Sequence, residues 1–175
     1  MTKELIKKAK KGDKSAFEQV ILYYQNDLYK IAKTRLSENA DIDDAIQETI
    51  ISAYQSIHNL INISKIKSWL ITILINKCNH IYKNKQNNTH VSYEDIEAEK
   101  YYSASTTFDS NLEFENLMNI LNNDEKTIFV LYYSEGYKTK EIAKILQMNE
   151  STVRNKILRG KRKIEINLKE GNNNG

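Results

Sequence analysis

The chain has 175 residues, 40% of them hydrophobic and 28% charged, with a formal net charge of +3. That length suits one medium domain or two small ones, and so slight a positive balance excludes a histone-like polycation, so basic character must be read locally. A single cysteine excludes an intramolecular disulfide framework and fits a reducing compartment, no apolar run approaches the ~20 residues of a membrane span, and the opening MTKELIKKAKKGDK lacks a signal-peptide core; a cytoplasmic protein is expected.

Proline is absent and glycine scarce, which leaves long helices unpunctuated. Residues 5–11 predict a short helix ended at Gly12, and residues 15–36 a long one with Phe17, Val20, Ile21, Tyr24, Leu28 and Ile31 inward. A third starts at Asp41, with Asp41 and Asp43 in the role of N-terminal caps. Its apolar set, Ile42, Ala45, Ile46, Thr49, Ile50, Ala53, Tyr54 and Ile57, keeps the helical period without a gap. A fourth covers residues 64–85, with Ile66, Trp69, Leu70, Ile73, Leu74 and Ile81 inward and Cys78 as a buried small hydrophobe. Three substantial helices with short connections make a small bundle.

The pattern then breaks. Residues 86–110 are polar and locally acidic (Glu94, Asp95, Glu97, Glu99) and read as a linker of roughly 25 residues. Tyr93, Tyr101, Tyr102 and Phe108 argue against a purely flexible tether. Helical periodicity resumes over residues 112–121, 124–133, 139–146 and 150–168, and residues 171–175 read as a frayed tail. The expected fold is all-α: two small helical domains, residues 1–85 and 111–170, joined by that linker.

Residues 137–163, YKTKEIAKILQMNESTVRNKILRGKRK, have the form of a helix-turn-helix. Thr139 is placed to cap the first helix, with Glu141 near the positive end of its dipole. Ile142, Ile145 and Leu146 share one face, Ala143 leaves room for close approach, and Met148 fills the turn. Asn149 or Ser151 restarts a helix whose apolar stripe is Val153, Ile157, Ile164 and Leu168. Ser151, Asn155, Arg159 and Arg162 point away from that stripe, with Arg154 and Lys156 on its flanks, which suits a helix lying in a DNA major groove. Taken alone, the second helix is equally a solvated basic surface helix; the capped partner and a turn of the right length favour DNA binding. His58, His80 and His90 show no metal-ligand spacing, and there is no glycine-rich phosphate loop, so neither an enzyme nor a cofactor is expected.

Separate motifs stand in a telling order: Gly12-Asp13 with Ala16-Phe17 and Tyr23-Tyr24; Asp44-Ala45-Ile46-Gln47-Glu48-Thr49; Trp69-Leu70 with Ile73 and Asn76; then Leu131, Gly136, Glu141-Ile142-Ala143 and Thr152-Val153. Together they resemble the bacterial alternative sigma factors of the extracytoplasmic-function type, over nearly the whole chain. The resemblance implies a protein without catalysis of its own that binds core RNA polymerase, directs it to a promoter and helps melt the start site. Residues 1–85 would be sigma region 2 and residues 111–170 sigma region 4.

Asp44, Gln47 and Glu48 share a helical face and, by resemblance, meet the coiled coil of the polymerase β′ subunit, with the β flap as a second polymerase contact. Recognition of the −10 element falls by resemblance on the fourth helix and residues 59–65. Asn76 lies near an extruded base, His80 stands where aspartate is common, and Lys65, Lys67, Lys77, Lys83 and Lys85 supply phosphate contacts. Trp69 reads as core rather than as a stacking platform. The −35 element falls to Arg154, Asn155 and Arg159, with Ser151, Thr152 and Lys156 beside them, Arg162 on phosphate, and Leu158 either against a thymine methyl or partly buried. The family is commonly restrained by an anti-sigma protein, an implied further partner. Asn122, Lys126 and Gln147 depart from the family's usual proline, arginine and turn glycine. The rival reading is a stand-alone DNA-binding regulator that dimerises through its N-terminal bundle, which makes the acidic face of the third helix an accident.

Overall fold

The computed structural model describes residues 1–88 and 118–172, with side chains over 1–86 and 118–169. The chain divides into two compact units, Met1–Val91 and Ser92–Gly175. The fold is all-α, with no strand among the described residues. The predicted linker aromatics Tyr93, Tyr101, Tyr102 and Phe108, the acidic cluster beside them and His90 lie outside the described residues.

In the first unit, α1 (Lys3–Lys10) opens on Thr2, whose hydroxyl accepts the Leu5 N–H. It ends at Gly12, where a φ of +94° turns the chain so that the Gly12 and Asp13 N–H groups satisfy the Ala9 and Lys8 carbonyls. Asp13 then accepts the Ala16 N–H at 3.0 Å and starts α2 (Lys14–Lys33). α3 (Asn39–Ser56) and α4 (Ile66–Asn88) follow, separated by 3₁₀ turns at Ile57–Asn59 and Ile63–Lys65. α1 rests on α2, while α2, α3 and α4 pack on one another. Ala45, Thr49 and Ala53 recur every four residues on the fully buried side of α3, so backbones approach closely there, and the Thr49 hydroxyl is satisfied by the Ala45 carbonyl. Leu28, Ile31, Ile42, Leu70, Ile71 and Leu74 fill the centre, each burial worth about 1.5–3 kcal/mol.

Several local readings change in this unit. The N-cap of α3 is Glu38, which makes no side-chain cap, so Asp41 and Asp43 do not cap; Asp41 is taken instead by Lys85 of α4. α4 runs on through Asn88, past the expected boundary at residue 85. Its buried residues are Ile66, Leu70, Ile71, Leu74, Ile75 and Cys78, whereas Trp69, Ile73 and Ile81 are only half-buried. α4 packs on both α2 and α3, so its buried arc is broad and centred away from Trp69. The expectation that Trp69 belongs to the core is therefore corrected. It stands seven residues before Asn76, about two turns, and shares the outward face with it.

In the second unit, Asn122 starts α5 (Asn123–Phe129) with a reciprocal box: its side chain accepts the Glu125 N–H at 2.9 Å, and the Glu125 carboxylate accepts the Asn122 N–H at 3.0 Å. The asparagine thus secures the helix start by capping, where the usual proline would preset φ. α5 passes into a π turn, Val130–Ser134, and the chain leaves it through Gly136 at a φ of +71°. α6 (Thr139–Ile145) and α7 (Glu150–Asn172) form the helix-turn-helix, over a core of Ile128, Leu131, Ile142 and Val153. Gln147 in the turn has a φ of +54°, a left-handed backbone that costs a non-glycine residue roughly 1 kcal/mol.

Thr139 does not cap α6. The cap position is Lys138, whose N–H is taken by the Glu141 carboxylate at 3.2 Å, while the Thr139 hydroxyl donates to Glu150 at 2.8 Å. The predicted apolar stripe of α7 also stops early: Val153 and Ile157 are buried, Ile164 is half-buried and Leu168 is exposed. α7 meets α5 at Gly160 and Lys163, and its later turns extend past that contact to Asn172, two residues into the expected tail.

Candidate nucleic-acid and partner interfaces

Opposite the buried Ala45–Thr49–Ala53 side of α3 stand Asp44, Gln47 and Glu48, all exposed and all on one face. Ile51 continues that face, exposed, one turn further on. Ile51 falls outside the gapless apolar set of α3, and that position in the sequence is the signal that marks it as an exposed apolar residue.

The outward face of α4 gathers residues that the sequence treated separately. Trp69, Ile73, Asn76, His80 and Lys83 fall at spacings of three and four, and so form a single stripe. Trp69 and Ile73 are half-buried, while Asn76, His80 and Lys83 are exposed. The Asn84 amide donates to the His80 ring at 3.4 Å. An aromatic face, an amide and a cation in one line can stack a base, read its edge and neutralise its phosphate.

The remaining lysines of the predicted −10 set point elsewhere. Lys65 lies exposed on the 3₁₀ turn before α4. Lys67 pairs with Asp27 of α2 at 2.7 Å and lies 6.0 Å from the centre of the Tyr24 ring. Lys85 pairs with Asp41 of α3, and that hydrogen bond holds its ammonium above the usual lysine range. Lys77 reaches Glu48 at 3.2 Å, so one ion pair joins the acidic face of α3 to α4. Lys67, Lys77 and Lys85 thus brace α4 against α2 and α3, which periodicity along one helix cannot reveal.

On α7, Ser151, Asn155, Arg159 and Arg162 are exposed on one side together with Leu158, which is 51% exposed. Thr152 is half-buried. Lys156 turns back to Asp124 of α5 at 3.1 Å and does not join that side. Arg154 is 67% exposed and held at 2.7 Å by Glu150, the first residue of α7. Hydrogen bonds from Thr139 and Arg154 keep the Glu150 carboxyl below the usual carboxylate range. Glu150 was missed because a first-turn glutamate reads simply as a dipole partner.

Among the described residues no cluster of His, Cys, Asp and Glu could hold a metal ion, and no helix is long and apolar enough to cross a membrane.

Comparison with known proteins accounts for both units. Residues 20–87 match the family described as "Sigma-70 region 2", and residues 111–164 match "Sigma-70, region 4". The ECF RNA polymerase sigma-E factor of Haemophilus influenzae is 32% identical over 177 residues, covering 92% of this chain and 92% of that protein. The ECF RNA polymerase sigma factor SigW of Bacillus subtilis is 26% identical over 183 residues, covering 97% and 98%. Among solved structures, CnrH in complex with the cytosolic domain of CnrY has a TM-score of 0.67 at 20% identity, covering 96% of this chain and 97% of that one. The sigma factor RpoE of Bartonella quintana, in complex with the anti-sigma factor NepR, also has 0.67, at 22% identity, covering 87% and 96%. At those identities the two structures speak for the fold.

Proposed function

This chain belongs to the ECF RNA polymerase sigma factors, and we propose how its surfaces divide the work of one. It is an alternative sigma factor, a transcription initiation factor that acts with core RNA polymerase at promoters. Residues 1–85 serve as region 2 and residues 111–170 as region 4, with residues 86–110 between them. The exposed Asp44, Gln47 and Glu48 offer acceptors to the basic β′ coiled coil, with Ile51 as an apolar neighbour. The second unit engages the β flap.

The observation that carries promoter melting is the outward stripe of α4. Asn76 reads an extruded −10 base, Trp69 and His80 flank it, and Lys83, with Lys65, neutralises phosphate. Lys67 and Lys85, engaged by Asp27 and Asp41, hold α4 in place. On α7, Arg154, Asn155 and Arg159 read −35 bases from the groove, with Ser151 and Leu158 beside them and Arg162 on phosphate. The protein works in the cytoplasm, without a cofactor or a reaction of its own. An anti-sigma protein restrains it by covering these surfaces; the partner named for the Bartonella quintana protein supports that reading.

Changing Gln47 to Ala and Glu48 to Lys together tests the polymerase face. Association with purified core polymerase is expected to be lost while helix content by circular dichroism stays at the wild-type level. Undiminished association would remove α3 from the interface.

A further inference from the structure

The start of α7 carries a carboxylate with a role outside the residues assigned so far. Glu150 accepts two hydrogen bonds on the same oxygen, Oε1: from the Thr139 hydroxyl at 2.8 Å and from Arg154 Nη2 at 2.7 Å. Thr139 begins α6, so the carboxylate is pinned from the other helix of the pair. Arg154 stands one turn along α7, and the bond draws its guanidinium back toward the helix N-terminus, the end that meets base edges in a helix-turn-helix. A guanidinium held through one amino group keeps its other amino group and its Nε–H to donate, in an orientation set by the carboxylate. A free arginine surrenders rotamer freedom on binding, whereas one already tethered has less to surrender.

We propose that Glu150 is a positioning residue for promoter recognition: with Thr139 it fixes the Arg154 guanidinium, and so sets which −35 base pair Arg154 discriminates and how sharply. This rests on the reading of α7 as the recognition helix. The charge of Glu150 also opposes the phosphate backbone, but that effect is the same at every sequence. A positioning role is confined to one base pair, and a charge effect is uniform.

The test uses the holoenzyme, the full chain with core polymerase, binding promoter fragments in which each −35 base pair is replaced in turn. T139V removes a donor and leaves the charge of Glu150; E150Q removes the charge; R154A removes the reader. R154A is expected to flatten discrimination at one base pair. T139V and E150Q should each reduce discrimination at that same base pair by about fivefold or more, leave the other positions unchanged, and add nothing in combination with R154A. Unchanged discrimination in T139V and E150Q beside a flattened R154A would overturn the proposal. So would equal losses at every base pair with a lowered melting temperature, which would mark a loosened helix pair. A wild-type holoenzyme indifferent to every −35 base pair would refute the recognition-helix reading itself, and the positioning role with it.

Discussion

Lys163 of α7 places its ammonium 2.7 Å from the Glu125 carboxylate of α5, a side chain only 4% exposed. Glu125 also closes the capping box of α5, so one carboxylate ties a helix start to the recognition helix. Lys163→Met leaves that carboxylate buried with the Asn122 N–H as its partner among the described residues. Removing one member of a buried pair costs 3–5 kcal/mol, and partial exposure of Lys163 reduces this to about 2–3 kcal/mol. The one tryptophan, Trp69, lies in the first unit, apart in sequence from this pair. Urea unfolding followed by circular dichroism should therefore shift to lower denaturant. A fixed circular dichroism transition would count against the pair.

Gly160 supplies a second test, with the opposite sign from helix propensity. Glycine within a helix is about 1 kcal/mol worse than alanine, so Gly160→Ala would stabilise a free helix. Here a Cβ would lie 2.6 Å from Phe129 Cε2 and 3.3 Å from Leu121 Cδ2. Phe129 is buried, so overpacking of about 1–3 kcal/mol should prevail and leave the variant less stable than wild type. A raised melting temperature of the second unit would contradict this packing.

Cys78 links stability to pH in the first unit. Burial pushes its thiol up to about 11. The unfolded thiol ionises from about 8.5, so above that pH the unfolded state binds fewer protons than the folded one, and stability falls as pH rises toward the folded value. The loss reaches roughly 2–3 kcal/mol by the top of that window and is absent at neutral pH. Cys78→Ala should flatten the dependence, followed by Trp69 fluorescence in urea between pH 8 and 11. An equal slope in the variant would assign it to other groups.

Recognition separates into base readers and phosphate contacts. Arg159→Ala should lose ~1–3 kcal/mol at particular −35 base pairs and little elsewhere. Lys83→Ala should weaken holoenzyme binding evenly across −10 sequences and lower the salt slope by about one. Lys85, tied to Asp41, should act chiefly on the stability of the first unit. Base-dependent losses from Lys83→Ala, or even losses from Arg159→Ala, would reverse the assignment; holoenzyme titrations at two salt concentrations decide it.

Much of this was legible in the chain itself. Periodicity placed each described helix, and the family motifs ran in order through both units. Gly12 was readable as a helix stop because its role is local, whereas the next helix was expected from residue 15 and begins at Lys14 on the Asp13 cap. What escaped was decided by partners distant in sequence. Asp41 and Thr139 look like caps until Lys85 and Glu150 claim their side chains. Lys156 looks like a DNA contact until Asp124 takes it. Trp69 looks like core because a single stripe cannot show that α4 buries a broad arc against two neighbours at once. The candidate site suffered most from this, because long charged side chains choose partners by tertiary proximity.

The most direct measurement of the central claim is run-off transcription on genomic DNA from the source, with purified bacterial core polymerase, with and without this chain. Discrete new start sites sharing a −35 and a −10 sequence are expected only when the chain is present. No new transcripts, together with tight DNA binding by the chain alone, would contradict its action as a sigma factor through these surfaces and return it to the stand-alone regulators.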